Sequence, residues 1–157
     1  MDTNITVRDA RPTDAGAIAA FNNAMAQETE GKSLDSQLIG PGVRKLLENP
    51  AMGRYWVAEI DGRIVGQIMV TYEWSDWRNG LIWWVQSVYV VPDCRRKGVF
   101  SALYHHVESL AVAEVHVCGI RLYVEKDNAR AHHTYIAMGM AETDYRIMET
   151  MFERDDN

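Results

Sequence analysis

The chain has 157 residues, 47% of them apolar and 24% charged, a globular balance that excludes a disordered chain and amounts to one domain's worth of residues. Lys and Arg number 16 against 22 Asp and Glu, a net charge of −6 that argues against general nucleic-acid binding and suits a small cationic partner. Two cysteines exclude a disulfide scaffold and point to a reducing, cytoplasmic setting, while the start MDTNITVRDA resembles no signal peptide and no apolar run approaches the ~20 residues of a membrane span.

In chain order, Ile5–Arg8 reads as a short strand. Thr13 or Asp14 then caps a helix carrying Ile18, Phe21 and Met25 at helical spacing, which fades near Glu28–Gly31. A second short helix is expected over Val43–Glu48, opened by Pro41-Gly42 and closed by Asn49-Pro50. Tyr55–Ile60 and Ile64–Trp74 form a hairpin across Asp61-Gly62, because a type I′ turn needs positive φ at both central residues. The polar loop Ser75–Gly80 leads to a third strand, Leu81–Val91, which Pro92 stops.

After Pro92 the pattern changes. A basic loop, Asp93–Lys97, precedes a helix from Gly98 to about Glu114, with Phe100, Leu103, Tyr104, Val107, Leu110 and Ala111 as its buried stripe. A strand follows at Ile120–Val124, then a helix capped by Asp127 or Asn128 and ended by Gly139, then a last strand at Thr143–Phe152. A strand–helix–strand unit implies a parallel pair inside a mixed sheet. The expected fold is a single α/β (α+β) domain over residues 1–157, with a mixed, mostly antiparallel twisted sheet flanked by helices.

The densest chemistry lies at VYVVPDCRRKGVFSAL, Val88–Leu103. A strand end, three cations (Arg95, Arg96, Lys97) and a helix start at Gly98 form an anion site, because the first helical amides lack acceptors and the helix dipole is positive there. A solvated basic loop closed by a capping glycine is the plainer alternative. Neither the dinucleotide-binding nor the P-loop glycine pattern occurs.

This segment resembles the GNAT superfamily of acetyl-coenzyme A-dependent N-acetyltransferases, whose signature is [QR]-x-x-G-x-[GA] after a V-x-P strand end. Here Val90-Val91-Pro92 precedes Arg95-Arg96-Lys97-Gly98-Val99-Phe100, with Phe100 where the family has Gly or Ala and its side chain expected to turn into the core. A second match, N-x-x-A-x-x-x-Y-x-x-x-G-[FM], falls on Asn128, Ala131, Tyr135, Gly139 and Met140.

The resemblance implies acetyl-coenzyme A as cosubstrate, with no metal. It places the pantetheine arm on the main chain of Val88, Tyr89 and Val90, beside a splayed parallel neighbour. The diphosphate falls on the loop Arg95, Arg96, Lys97, Gly98, Val99, Phe100 and Ser101, and Asn128 bonds the pantetheine side. Tyr135 matches the tyrosine proposed to protonate the leaving thiolate, although helical spacing alone favours a core aromatic with its hydroxyl satisfied locally. Trp84 and Gln86 occupy the strand positions where relatives carry a Glu or His base, and neither accepts a proton at neutral pH. That shifts the base role to Glu73, Glu28 or Glu30 through water.

Tyr72, Trp74, Trp77, Trp83 and Trp84 crowd one hairpin. They suit an amine pocket, sheet packing or a dimer interface, with Trp83 and Trp84 on opposite faces. The adjacent histidine pairs 105–106 and 132–133 point about 100° apart on a helix and do not chelate. The expectation is transfer of acetyl to a primary amine of a small molecule, the acceptor site including Glu28, Trp74, Trp84 and Gln86, in a possible homodimer. A non-catalytic acyl-coenzyme A sensor and a protein N-terminal or lysine acetyltransferase are the alternatives.

Overall fold

The computed structural model describes residues 4–153, which fall into two compact units, one through Tyr123 and one from Val124 onward. In the first, five strands run β1 (Ile5–Asp9), β2 (Gly53–Ile60), β3 (Arg63–Ser75), β4 (Gly80–Val90) and β5 (Val117–Leu122), adjacent in sheet order as in sequence. The first four pair antiparallel and β4–β5 pairs parallel. Asp61 and Gly62 take φ 51° and 78° at the β2–β3 turn, as the hairpin reading requires.

The helices of this unit are α1 (Ala15–Glu30), α2 (Ser36–Glu48) and α3 (Val99–Ala113). Alternation divides the sheet residues between two faces. Trp56, Ile68, Trp83 and Val85 form a core with Val99, Leu103 and Val107 of α3. Tyr55 and Val57 of the opposite face meet Ala15 and Ile18 of α1 and Val43 of α2. The start of α1 is tied down electrostatically. Arg8 of β1 reaches Asp14 and Glu59 at 2.8 Å each, and Asp14 also accepts the Arg11 amide at 2.6 Å.

Three expectations need correction. The second helix begins at Ser36, earlier than Pro41-Gly42 suggested, because the Asp35 carboxylate accepts the Gln37 amide as its cap and buried Val43 anchors the far side of the proline. The buried stripe of α3 is Val99, Leu103, Tyr104, Val107 and Ala111, so Val99 takes the place expected of Phe100, which is half-buried with its ring 6.1 Å from Tyr104. The second unit contains α4 (Ala129–Ala137), capped by Asn128, but no strand over residues 143–152. Tyr145, Ile147, Met148, Met151 and Phe152 are all exposed, so the apolar alternation there covers no core that would favour an extended ladder.

Candidate functional site

The central feature is a strand that loses one neighbour halfway along its length. The β4–β5 ladder runs from Leu81↔Val117 to Val85↔Leu122 and stops, while β4 continues to Val90. On its other side, Gln67 pairs with Tyr89 and Met69 with Gln86, so Ser87 and Val88 together oppose Ile68. Ser87 has φ 51°, the mark of a bulge that bends β4. The stretch 86–90 therefore has no β5 partner, although the Ser87 carbonyl accepts from Gln67 and the Val90 carbonyl from Arg95. The end of the ladder falls before Val88, Tyr89 and Val90.

The strand leads into a short 3-10 turn, Pro92–Cys94, an extended Arg95, and Arg96 and Gly98 at φ 63° and 85°. Arg96, Lys97 and Gly98 are exposed. The Ala102 amide reaches back to the Gly98 carbonyl at 3.0 Å, the first hydrogen bond of α3, so the amides of the turn before it point out of the helix N-terminus. Arg95 is engaged elsewhere. Its guanidinium donates to Glu28 at 2.7 Å and to the Val90 carbonyl at 2.9 Å, and lies 5.4 Å from the Tyr89 ring centre. The Tyr89 hydroxyl donates to the second Glu28 oxygen at 3.1 Å, and burial, reinforced by Glu28, raises its pKa. Glu28 and Arg95, expected on acceptor and cofactor respectively, thus clasp the end of α1 to the base of the loop.

On the α1–α2 face lies a cleft of about 490 Å³, lined by both helices, Tyr55, Met69 and Ser87 of the bulge. Its polar floor went unnoticed in the sequence. Gln67 Nε2 donates to the Ser87 carbonyl at 3.0 Å and to Asn22 Oδ1 at 3.3 Å, and Asn22 Nδ2 is buried with no partner. The signal was there to be read: Asn22 falls between Ile18 and Ala26 on the buried stripe of α1, and Gln67 sits among the apolar residues of β3.

A strand edge beyond the β5 ladder, a basic loop and a helix N-terminus in continuous sequence form a receptacle for an extended, anionic ligand. The profile of the acetyltransferase (GNAT) family matches residues 19–140. The chain belongs to this acetyltransferase (GNAT) family. A possible acetyltransferase from Clostridium difficile 630 is 44% identical to this GNAT chain, with TM-score 0.89, over 96% of this chain and 99% of that one. An uncharacterised N-acetyltransferase of Methanocaldococcus jannaschii is 36% identical over 85 residues, 54% of this chain and 51% of that protein, so the chain spans about half the length of the curated relative it matches. An integron cassette protein from the mobile metagenome of Cole Harbour Salt Marsh shares the fold at TM-score 0.82, with 22% identity, over 95% of this chain and 91% of that one.

The remaining residues singled out from the GNAT motifs are distributed as follows. Glu73 of β3 is ion-paired with Arg121 of β5 at 2.7 Å. Trp84 stacks on Tyr123 with ring centres 4.5 Å apart, and Gln86 donates to the Thr71 hydroxyl. Trp83 faces the opposite way, into the core against Trp56 and Tyr72, while Trp74 and Trp77 are exposed at 60% and 89%. Glu28, Trp74, Trp84 and Gln86 are not in the lining of the cleft, whereas Glu30 is. In the second unit, the Asn128 carboxamide oxygen caps α4 by accepting the Ala131 amide at 3.1 Å. Tyr135 is two turns along, and burial pushes its pKa up, so it keeps its proton at neutral pH. Among the described residues, no group of three or more His, Cys, Asp or Glu side chains is placed to hold a metal ion, and no helix is long and apolar enough to cross a membrane.

Proposed function

We propose that the chain transfers the acetyl group of acetyl-coenzyme A to the primary amine of a small molecule, by direct attack while both are bound. The observation that carries this reading is β4 beyond Val85, without a β5 partner and running straight into the Arg96–Ser101 loop and helix start. Main-chain groups of Val88, Tyr89 and Val90 would bond the pantetheine amides, and the amides of Arg96 through Ser101 would hold the diphosphate, helped by the charges of Arg96 and Lys97. The Asn128 carboxamide would add a bond to the pantetheine side.

In the transfer, the amine nitrogen bonds to the thioester carbon, the carbon–sulfur bond breaks, and the amine gives up a proton. Tyr135, protonated at neutral pH, would donate to the departing sulfur. Glu28 and Glu73 each hold an arginine at 2.7 Å, whereas Glu30 has a long, exposed pairing with Lys32 at 3.9 Å and lines the cleft, so it is the carboxylate best placed to receive the amine proton through water. The same reading puts the enzyme in the cytoplasm, where Cys94 and Cys118 remain the free thiols found here.

The test is thiol release from acetyl-coenzyme A, followed with a thiol-reactive chromophore, across a panel of primary amines. Amine-dependent release is the expected result. Tight acetyl-coenzyme A binding without release for any amine would overturn catalysis in favour of an acyl-coenzyme A sensor.

A further inference from the structure

The floor of the α1–α2 cleft carries a hydrogen-bond polarity that can be fixed atom by atom. The Ser87 carbonyl only accepts, so the Gln67 atom 3.0 Å from it must be the nitrogen. That same nitrogen lies 3.3 Å from Asn22, so the Asn22 atom facing it must be the oxygen. Two ends are then left over, buried and without a partner: the Gln67 oxygen, on a residue outside the cleft lining, and the Asn22 amino group, on a residue that lines the cleft and is only 4% exposed. A buried donor without an acceptor is unfavourable, and such groups mark places where a ligand supplies what the protein withholds. The Tyr55 hydroxyl lies beside both Asn22 and Ser87 and lines the same cleft, adding a second donor. Above this floor the walls are apolar, including Met25, Val43, Leu46 and Met69, and Glu30 is the charged residue in the lining.

We propose that Asn22 and Tyr55 select the acceptor, and that the cleft takes a primary amine with an apolar body and an uncharged oxygen acceptor, a carbonyl, close to the nitrogen. The assignment rests on the acetyltransferase reading above. Two donors ask for an acceptor oxygen. The apolar walls ask for a hydrocarbon or aromatic body. Glu30 and the lack of a cation in the lining disfavour a free carboxylate and tolerate an ammonium. The floor is tied through Gln67 to Ser87, the bulge residue of β4, and an α-amino amide is the simplest amine that carries such an oxygen. Gln67 acts as a positioning residue, since it orients Asn22 from behind.

The test compares L-phenylalaninamide with 2-phenylethylamine, which lacks the carboxamide, and with L-phenylalanine, which bears a carboxylate. L-leucinamide against 3-methylbutylamine repeats the comparison with a smaller body. The expected kcat/KM favours the amides by at least about tenfold over both kinds of comparator, because a site built around an oxygen rejects the analogue lacking it. Asn22→Leu and the nearly isosteric Tyr55→Phe should each bring that ratio toward one, with folding checked by the thermal shift acetyl-coenzyme A produces. In parallel, the Asn22 side-chain amide resonances of ¹⁵N-labelled protein should move on adding phenylalaninamide and not phenylethylamine. Equal efficiencies in the wild type, a ratio unmoved in both variants, or unmoved resonances would overturn the proposal. Absence of turnover with every amine would instead sink the transfer reading, and the resonance shifts alone would then decide whether the cleft recognises an amide.

Discussion

Asp14 shows how much one side chain carries in this molecule. It is 6% exposed and accepts from two Arg8 nitrogens and the Arg11 amide, and the Arg8 hydrogen bond holds its carboxyl below the usual carboxylate range. A carboxylate with a folded-state pKa below its unfolded value stabilises the protein above about pH 4, and that contribution is lost as pH falls through the folded value. Asp14→Ala should cost about 3 kcal/mol at neutral pH, as removing one partner of a buried pair does. Urea melts at pH 7 and pH 3 should show the gap between wild type and variant closing at the lower pH. At Tyr135 the expected effect is on rate instead. Tyr135→Phe should lower kcat about a hundredfold, the scale of a lost general acid, with little change in the acetyl-coenzyme A KM. An unchanged kcat would assign Tyr135 to packing.

Among the elements, the start of α3 and the bulge of β4 depend on backbone conformations that most residues avoid. Gly98 stands at φ 85° with nothing within 4 Å of where a Cβ would lie. Gly98→Ala should therefore destabilise through backbone strain alone, by about 1 kcal/mol, visible as a drop of about 3 °C in Tm. Gly66→Ala should fail for the opposite reason. Its Cβ would come within 3.0 Å of the Tyr89 carbonyl oxygen and a Val99 methyl, prising α3 from the β3–β4 pair. If the two melts respond alike to a second, cavity-making change at Val99, the distinction between strain and crowding is wrong. The Asp61-Gly62 turn, the apolar periods of α1 and α3, and α4 with its Asn128 cap were legible because these signals are local, whereas the Asp14 side chain, read as a cap for α1, instead holds Arg8 and the Arg11 amide. The start of α2 was misjudged because Pro41 reads locally as a boundary, while Asp35 and Val43 act from either side of it. The 143–152 segment was misjudged because alternation reports what a strand would bury, not whether a partner is present.

At the scale of the whole molecule, the cofactor should behave as a stabiliser. Acetyl-coenzyme A at a hundred times its Kd should add about 2.7 kcal/mol, which for a domain of this size raises Tm by about 5–10 °C. Acetyl-pantetheine, lacking the diphosphate, should give much less of that rise at equal concentration. Scanning fluorimetry showing equal shifts would remove the helix-start amides from the cofactor site. The motifs that announced this site are local. Val90 through Ser101 is one continuous stretch, so the loop, the glycine and the helix start were readable together.

The clasp of Glu28 with Arg95 and Tyr89, and the floor of Asn22, Tyr55, Gln67 and Ser87, join α1 to strands far away in sequence. Local pattern determined the strands, most helices and the anion-binding loop, because caps, turns and apolar periods act between near neighbours in the chain. Only the folded sheet decided which carboxylates are paired with arginines and which amide is left without an acceptor, because partners of polar groups are set by distance in space. The bulge at Ser87 belongs to that second kind, since it appears only when β4 is laid against β3.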